Sequence, residues 1–244
     1  MKSIYISDFN NIFLTTLGDP QPQDQFGYSV AVGSGRIVVG VPGDDLNATR
    51  SGSAGVFDLN GNVLALFAGE GAGANDRFGR SVAVGSGRIV VGVPEDGYFA
   101  DPAAGSIYVF DLNAKGIPSF TYGPTYMPRI FAGTPDDQTD GDVDADDEFG
   151  HSVAVGSGRI VVGAPYNDDT AAGSGSAYIY DLTGRIVKKI VASDAANADY
   201  FGWSVAVGCG RIVVGAPYND DTAQNAGSAY IFDLDGNLIK KIVA

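Results

Sequence analysis

An all-β fold, built by stacking near-copies of one small unit, is what this 244-residue sequence predicts, and three observations predict it. The segment SVAVG(S/C)GRIVVG(V/A)P recurs four times, each copy entered through a Phe-Gly pair. Glycine is abundant, at 35 residues, while charged residues make up only 18% of the chain and apolar ones 45%, the balance of many short strands joined by tight turns. Within each copy, short β-branched runs alternate with Gly, Asn and Asp clusters.

The Phe-Gly pairs begin at Phe26, Phe78, Phe149 and Phe201, with steps of 52, 71 and 52 residues. The period is therefore about 52 residues, with some 19 more in the second copy. Four strands fit one period. In the first copy, Ser29 to Val32 forms the first strand, Gly33-Ser34-Gly35 the turn, and Arg36 to Val41 the second strand, which Pro42 stops because proline cannot donate to a ladder. A polar loop follows. The third and fourth strands are clearest in the last copy, as Gly227 to Leu234 and Asn237 to Val243, with Asp235-Gly236 read as a two-residue hairpin turn. The N-terminus fits the same register: Ser3 to Asn11 aligns with Ser228 to Gly236, and Ile12 to Leu17 supplies a fourth strand. The chain thus opens with strands three and four of a unit lacking its first two.

One such meander cannot bury both faces alone, so neighbouring units must stack. The small residues of SVAVG suit a crowded inner strand, the aromatic third strand a wider gap, and radial closure would protect sheet edges. The predicted fold is a single β-propeller domain of four complete four-stranded blades plus an N-terminal half blade, about five blade positions. Its divisions are a half unit at 1–23 and repeats at 24–75, 76–146, 147–198 and 199–244. A linear stack is the alternative.

The net charge of −14 and pI near 4.2 argue against a nucleic-acid partner, which needs a basic stripe to release counterions. The acidity suits divalent cations or simple solubility. The lone Cys209 leaves no intrachain disulfide framework. Residues 1–8 do not read as a secretion signal, and no stretch approaches the ~20 apolar residues of a membrane span.

Phe-Gly followed by a strand and then Gly-Ala-Pro, at Gly163-Ala164-Pro165 and Gly215-Ala216-Pro217, resembles the FG-GAP repeat; the first two copies carry Gly-Val-Pro. That repeat builds the propeller of integrin α subunits and of bacterial and phage surface proteins. The resemblance implies a binding or structural module used in adhesion, or in virion or cell-surface assembly, with a protein or glycan ligand or other subunits as partners. It also implies ligand binding on the loop-rich face. The family's calcium loop between strands one and two is replaced here by Gly-Ser-Gly or Gly208-Cys209-Gly210, so the usual calcium sites are missing.

Candidate sites lie at the end of the sheet that collects the loops after strands two and four. There, Asp44-Asp45, Glu95-Asp96, Asn167-Asp168-Asp169 and Asn219-Asp220-Asp221 form one acidic cluster per unit, readable as hard oxygen ligands for Ca²⁺ or as turn formers. The insertion between Lys115 and Glu148 ends in an acidic run whose Asp136, Gln138, Asp140, Asp142 and Asp144 imitate a calcium loop, with Gly141 at the sharp turn; a solvated loop is the other reading. Calcium is the one cofactor the sequence offers. The residue after each Phe-Gly varies, as Tyr28, Arg80, His151 and Trp203, which fits a tuned contact surface or an exposed site free to drift. Asp24, Asp76, Asp147 and Asp199, two residues before each Phe-Gly, read as turn caps. Arg36, Arg88, Arg159 and Arg211 read as structural partners of carboxylates or of a neighbouring unit. Catalysis finds little support: His151 is the lone histidine, and neither Ser nor Cys has an evident His and Asp partner. A calcium-dependent propeller hydrolase is the alternative function.

Overall fold

A computed structural model describes residues 3–5, 13–16, 22–69, 72–97, 104–112, 129–130 and 146–243. Every element among them is a strand. Strands β1 (Ser3–Tyr5) and β2 (Phe13–Thr16) pair as a two-stranded antiparallel hairpin, as expected of the half unit. Four antiparallel sheets follow, each of four strands. Unit one holds β3 (Ser29–Gly33), β4 (Arg36–Val41), β5 (Ser53–Phe57) and β6 (Val63–Phe67). Unit two holds β7 (Ser81–Gly85), β8 (Arg88–Val93), β9 (Ser106–Asp111) and β10 (Arg129–Ile130). Unit three holds β11 (Ser152–Gly156), β12 (Arg159–Ala164), β13 (Ser176–Asp181) and β14 (Ile186–Ile190). Unit four holds β15 (Ser204–Gly208), β16 (Arg211–Ala216), β17 (Ser228–Phe232) and β18 (Leu238–Val243). Each sheet is ordered as a simple meander.

The turns follow from residue chemistry. Between strands one and two, Ser34 (φ 49°) and Gly35 (φ 72°) both take the left-handed region, as a two-residue turn matched to strand twist requires. The turn before β18 is longer than the Asp235-Gly236 pair predicted. The Asp233 amide donates to the Asn237 carbonyl and the Gly236 amide to that of Asp233, so three residues span the corner, with Gly236 at positive φ. The extra residue is fixed by the Asp233 carboxylate, which accepts the amides of Asp235 and Asn237 at 3.0 and 2.8 Å. In unit two the fourth strand is β10, where Arg129 and Ile130 pair with Tyr108 and Ile107. The segment read as an insertion thus carries its own ladder strand, which its mixed composition hid.

Units join through their first strands. The most extensive approaches between sheets involve β3, β7, β11 or β15, while further out Phe67 of unit one stacks on Phe110 of unit two with centroids 4.0 Å apart. Three junctions repeat one contact set. Ser29, Ser81 and Ser152 donate their hydroxyls to the carbonyls of Gly79, Gly150 and Gly202 in the next unit, at 2.8, 2.7 and 2.8 Å. A methyl group on Gly40, Gly92 or Gly163 would stand 1.9 to 2.1 Å from those same carbonyl oxygens, which explains the glycine of the Gly-Ala/Val-Pro segment. Phe78, Phe149 and Phe201 are fully buried in the apolar layers between units. Each meets the third-strand tyrosine of its own unit edge-on, with centroids 5.2 Å apart for Phe78–Tyr108, Phe149–Tyr178 and Phe201–Tyr230.

The repeating arginines also cross these junctions. Arg88 Nε donates to the Leu182 carbonyl and Arg159 Nε to that of Leu234, each in the following unit. Unit four presents the same face without the same partners. Among the described residues Ser204 meets no such carbonyl, a methyl group on Gly208 would touch nothing within 4 Å, and Ile242 is 48% exposed where its counterpart Ile190 is 4%. At the other end of the series, Val30 and Val32 are 69% and 72% exposed.

Candidate functional site: an aromatic and charged belt on the loop face

Each Phe-Gly occupies the centre of a β-turn whose outer residues carry the variable side chains. The amides of Tyr28, Arg80, His151 and Trp203 donate to the carbonyls of Gln25, Arg77, Glu148 and Tyr200 at 2.9 to 3.1 Å, and the central glycines have φ of 88 to 94°. Positive φ at the third position demands glycine there, so Phe-Gly is fixed while its flanks are free. A third variable position follows the proline that ends strand two, as Gly43, Glu95, Tyr166 and Tyr218. Since strand two ends beside the start of strand one, with Ser29 opposite Gly40, the three positions of each unit share one end of the sheet.

The structure brings the predicted series Tyr28, Arg80, His151 and Trp203 together in pairs. The Arg80 guanidinium carbon lies 4.6 Å from the Tyr28 ring centroid, a cation–π contact between units one and two. The rings of His151 and Trp203 are 4.8 Å apart between units three and four. His151 is held from its own turn, its Nδ1 lying 2.8 Å from Glu148 Oε2. In unit two Arg77 pairs with Glu95 at 2.8 Å; burial pushes the Glu95 carboxyl up and Arg77 opposes it.

Unit four makes all three positions aromatic, and with Tyr166 they form a cluster that reading only the residue after Phe-Gly misses. Tyr166 and Tyr200 lie 5.2 Å apart, Tyr200 and Tyr218 5.4 Å, Tyr200 and Trp203 5.9 Å, and Trp203 and Tyr218 6.1 Å. These rings, with Ala198 and Asn225 at the lip, line an open cleft of about 390 Å³. Burial, and then the Glu148 carboxylate, push the Tyr166 phenol up, so it stays a hydrogen-bond donor. The signal was available in the sequence, since the position before Phe-Gly also differs in every copy and the one after the proline is Gly, Glu or Tyr.

The acidic clusters are largely engaged within their own loops. Ser53 donates to Asp44 and Ser106 to Asp96. Asp169 pairs with Lys189, and Asp221 with Lys241; the two ammonium groups lie 5.3 and 5.2 Å from the ring centroids of Tyr178 and Tyr230. Asp220 accepts the Asn225 amide, and Asp168 is exposed. Asp147 and Asp199, buried before their Phe-Gly turns, accept the side-chain amides of Asn167 and Asn219 at 3.0 and 3.1 Å; Asp199 also accepts the Ala196 amide at 2.9 Å. The predicted caps therefore tie the loop after strand two to the turn before strand one. Among the described residues no group of three or more His, Cys, Asp or Glu side chains is arranged to hold a metal ion. Asp136, Gln138, Asp140, Asp142 and Asp144 lie outside the described residues.

The fold and this face define a repeat module of antiparallel sheets, whose first two strands are nearly identical between units and whose loops are not. The FG-GAP repeat pattern matches residues 15–57, 63–110, 138–180 and 185–232, and the chain belongs to the FG-GAP repeat family. No curated protein matches the chain. FG-GAP repeats are adhesion-type modules, in general non-enzymatic. No helix among the described residues is long and apolar enough to cross a membrane.

Proposed function

We propose that this protein is a non-enzymatic binding module that engages a protein or glycan through its loop face, as part of a virion or cell-surface assembly. In this reading the units form a β-propeller of five blade positions, with the N-terminal hairpin as an incomplete fifth. The observation that carries the proposal is the grouping of variable side chains: the two positions flanking Phe-Gly, which differ in every copy, and the position after the proline, which is Gly, Glu or Tyr, lie together at one end of the sheets. Tyr, Trp and Arg, the residue types that dominate binding energy at interfaces, supply much of that belt. Asp168 and Asp220 rim it with exposed charge.

Surface plasmon resonance of the intact chain against extracts of cell and virion surfaces tests the proposal. The R80A/W203A double variant is expected to lose binding while still folding cooperatively, with a melting temperature lowered by a few degrees at most; undiminished binding overturns the assignment of this face. Calcium bound by Asp136, Gln138, Asp140, Asp142 and Asp144 belongs to the same proposal. Calorimetric titration with Ca²⁺ should show heat that D136A/D140A abolishes, and no heat from the unaltered chain removes calcium from the account.

A further inference from the structure

The cleft between units three and four differs in kind from the rest of the belt. Elsewhere charged side chains neutralise one another, as Arg77 does Glu95 and Glu148 approaches His151, or cover a ring, as Arg80 covers Tyr28. In the cleft, Tyr166, Tyr200, Trp203 and Tyr218 lean on one another at 54 to 83°, and neither Lys nor Arg lines it. Tyr218 is 42% exposed and belongs to a contiguous group of rings rather than standing singly, the arrangement that marks an interaction site.

We infer that this cleft binds the end of a neutral oligosaccharide chain. The inference rests on the proposed binding role of the loop face and names its ligand class. Three properties select a sugar. The first is shape: at about 390 Å³ the cleft falls within the roughly 300–1,000 Å³ of small-ligand sites, whereas a folded protein partner meets broad surfaces. The second is surface chemistry. Aromatic faces are electron-rich, and the C–H groups of a pyranose ring carry the partial positive charge that suits them; several tilted rings offer such a face at more than one angle. The tyrosine hydroxyls, with Tyr166 kept protonated, and Asn225 at the lip give donors and acceptors for sugar hydroxyls.

The third property is charge. Glu148 and Arg80 act on Tyr166 with opposite sign, Asp220 holds the Asn225 backbone, and the chain carries a net −14, so a sulfated or carboxylated glycan would meet net repulsion with no Lys or Arg among the lining residues to offset it. The cleft walls are also fixed before any ligand arrives. Tyr200 and Trp203 occupy the two ends of one hydrogen-bonded turn, and the Asn225 amide at the lip is held by Asp220, so little ordering cost remains for binding.

Trp203 is the chain's single tryptophan, so its emission reports on this cleft alone. Titrating the intact protein with cellohexaose, laminarihexaose, chitohexaose and mannohexaose, with dextran sulfate as the charged comparison, is the direct test. A saturable emission change with at least one neutral hexaose is expected, weakened about tenfold or more in Tyr218→Ala and largely kept in Tyr218→Phe. Tyr218→Phe keeps the ring contacts with Tyr200 and Trp203 and should melt as the unaltered chain does, and Tyr218→Ala, at a half-exposed position, should melt only slightly lower. A response to dextran sulfate alone, or to none of these probes at millimolar concentration, overturns the inference. If the probes fail while Tyr218→Ala still abolishes capture of surface extracts, the ligand is a protein and the broader binding role stands. If both fail, both readings fall.

Discussion

The hydroxyl of Ser152 donates to the carbonyl of Gly202, 2.8 Å away, at the point where unit four docks on unit three. Ser204 holds the same place in unit four but meets no such acceptor among the described residues. The pair gives an internally controlled prediction. Ser152→Ala should cost about 1 kcal/mol, since a part-buried carbonyl loses its donor, whereas Ser204→Ala should leave stability unchanged. In a chain of this size that difference corresponds to a melting shift of about 3 °C, readable by calorimetry.

Glycines of the junction offer a larger contrast. At Gly163 a Cβ would sit 1.9 Å from the Gly202 carbonyl oxygen, a backbone atom that cannot step aside. Gly163→Ala must push the two units apart and should cost about 3 kcal/mol or more. At Gly208 nothing lies within 4 Å, and Gly208→Ala should be neutral, or stabilising by up to about 1 kcal/mol through the unfolded chain. Denaturant melts of the two variants check this, and equal losses would contradict the junction geometry.

Acid should unlatch unit four. Burial pushes the Asp194 carboxyl up, but hydrogen bonds from Lys241 and from the Tyr230 hydroxyl, the latter at 2.7 Å, outweigh it and bring the group from 3.8 down to about 2. A carboxyl held low in the folded state contributes stability that is present above its ordinary range and lost as pH falls from about 4 through about 2. Asp194→Asn should flatten that limb of the stability–pH profile. Burial and the Asp194 carboxylate push the Tyr230 phenol the other way, upward, so a second loss is expected as pH rises beyond the usual tyrosine range.

Removing the cation over Tyr28 should separate binding from folding. Arg80 is partly exposed and Tyr28 is 46% exposed, so Arg80→Ala should cost at most about 1 kcal/mol of stability. Lysine at this position restores charge but not the flat guanidinium, and Arg80→Lys should recover only part of any lost ligand affinity. Thermal melts alongside surface capture give both quantities.

The unit architecture was legible in the sequence because repetition multiplies weak signals. A single SVAVG run is ambiguous, but four of them at one offset from Phe-Gly fix the first strand, and Pro42, Pro94, Pro165 and Pro217 mark where the second ends. Legibility failed where repetition failed. β10 has no sister with its sequence, so its two residues were hidden in a long variable segment. The belt was half legible: the residue after Phe-Gly stood out, but Tyr166, Tyr200 and Tyr218 belong to it through turn geometry and the meeting of two units, which linear spacing does not display. Nor could composition show that Asp169 and Asp221 are spent on Lys189 and Lys241, since an acidic loop and an acidic latch read alike.

The contact set of unit four, which has no partner among the described residues, has a meaning for how such units are added. Ser204, Gly208 and Ile242 hold the places by which units one to three receive the following unit, so an in-frame duplication would present its product with contact groups of the same kind. Copy number can then change by recombination between near-identical stretches without inventing an interface. On the proposed binding role, a new specificity would need only a few substitutions around Phe-Gly and after the proline. In such a chain the framework is inherited wholesale and the vocabulary is rewritten at three positions per copy.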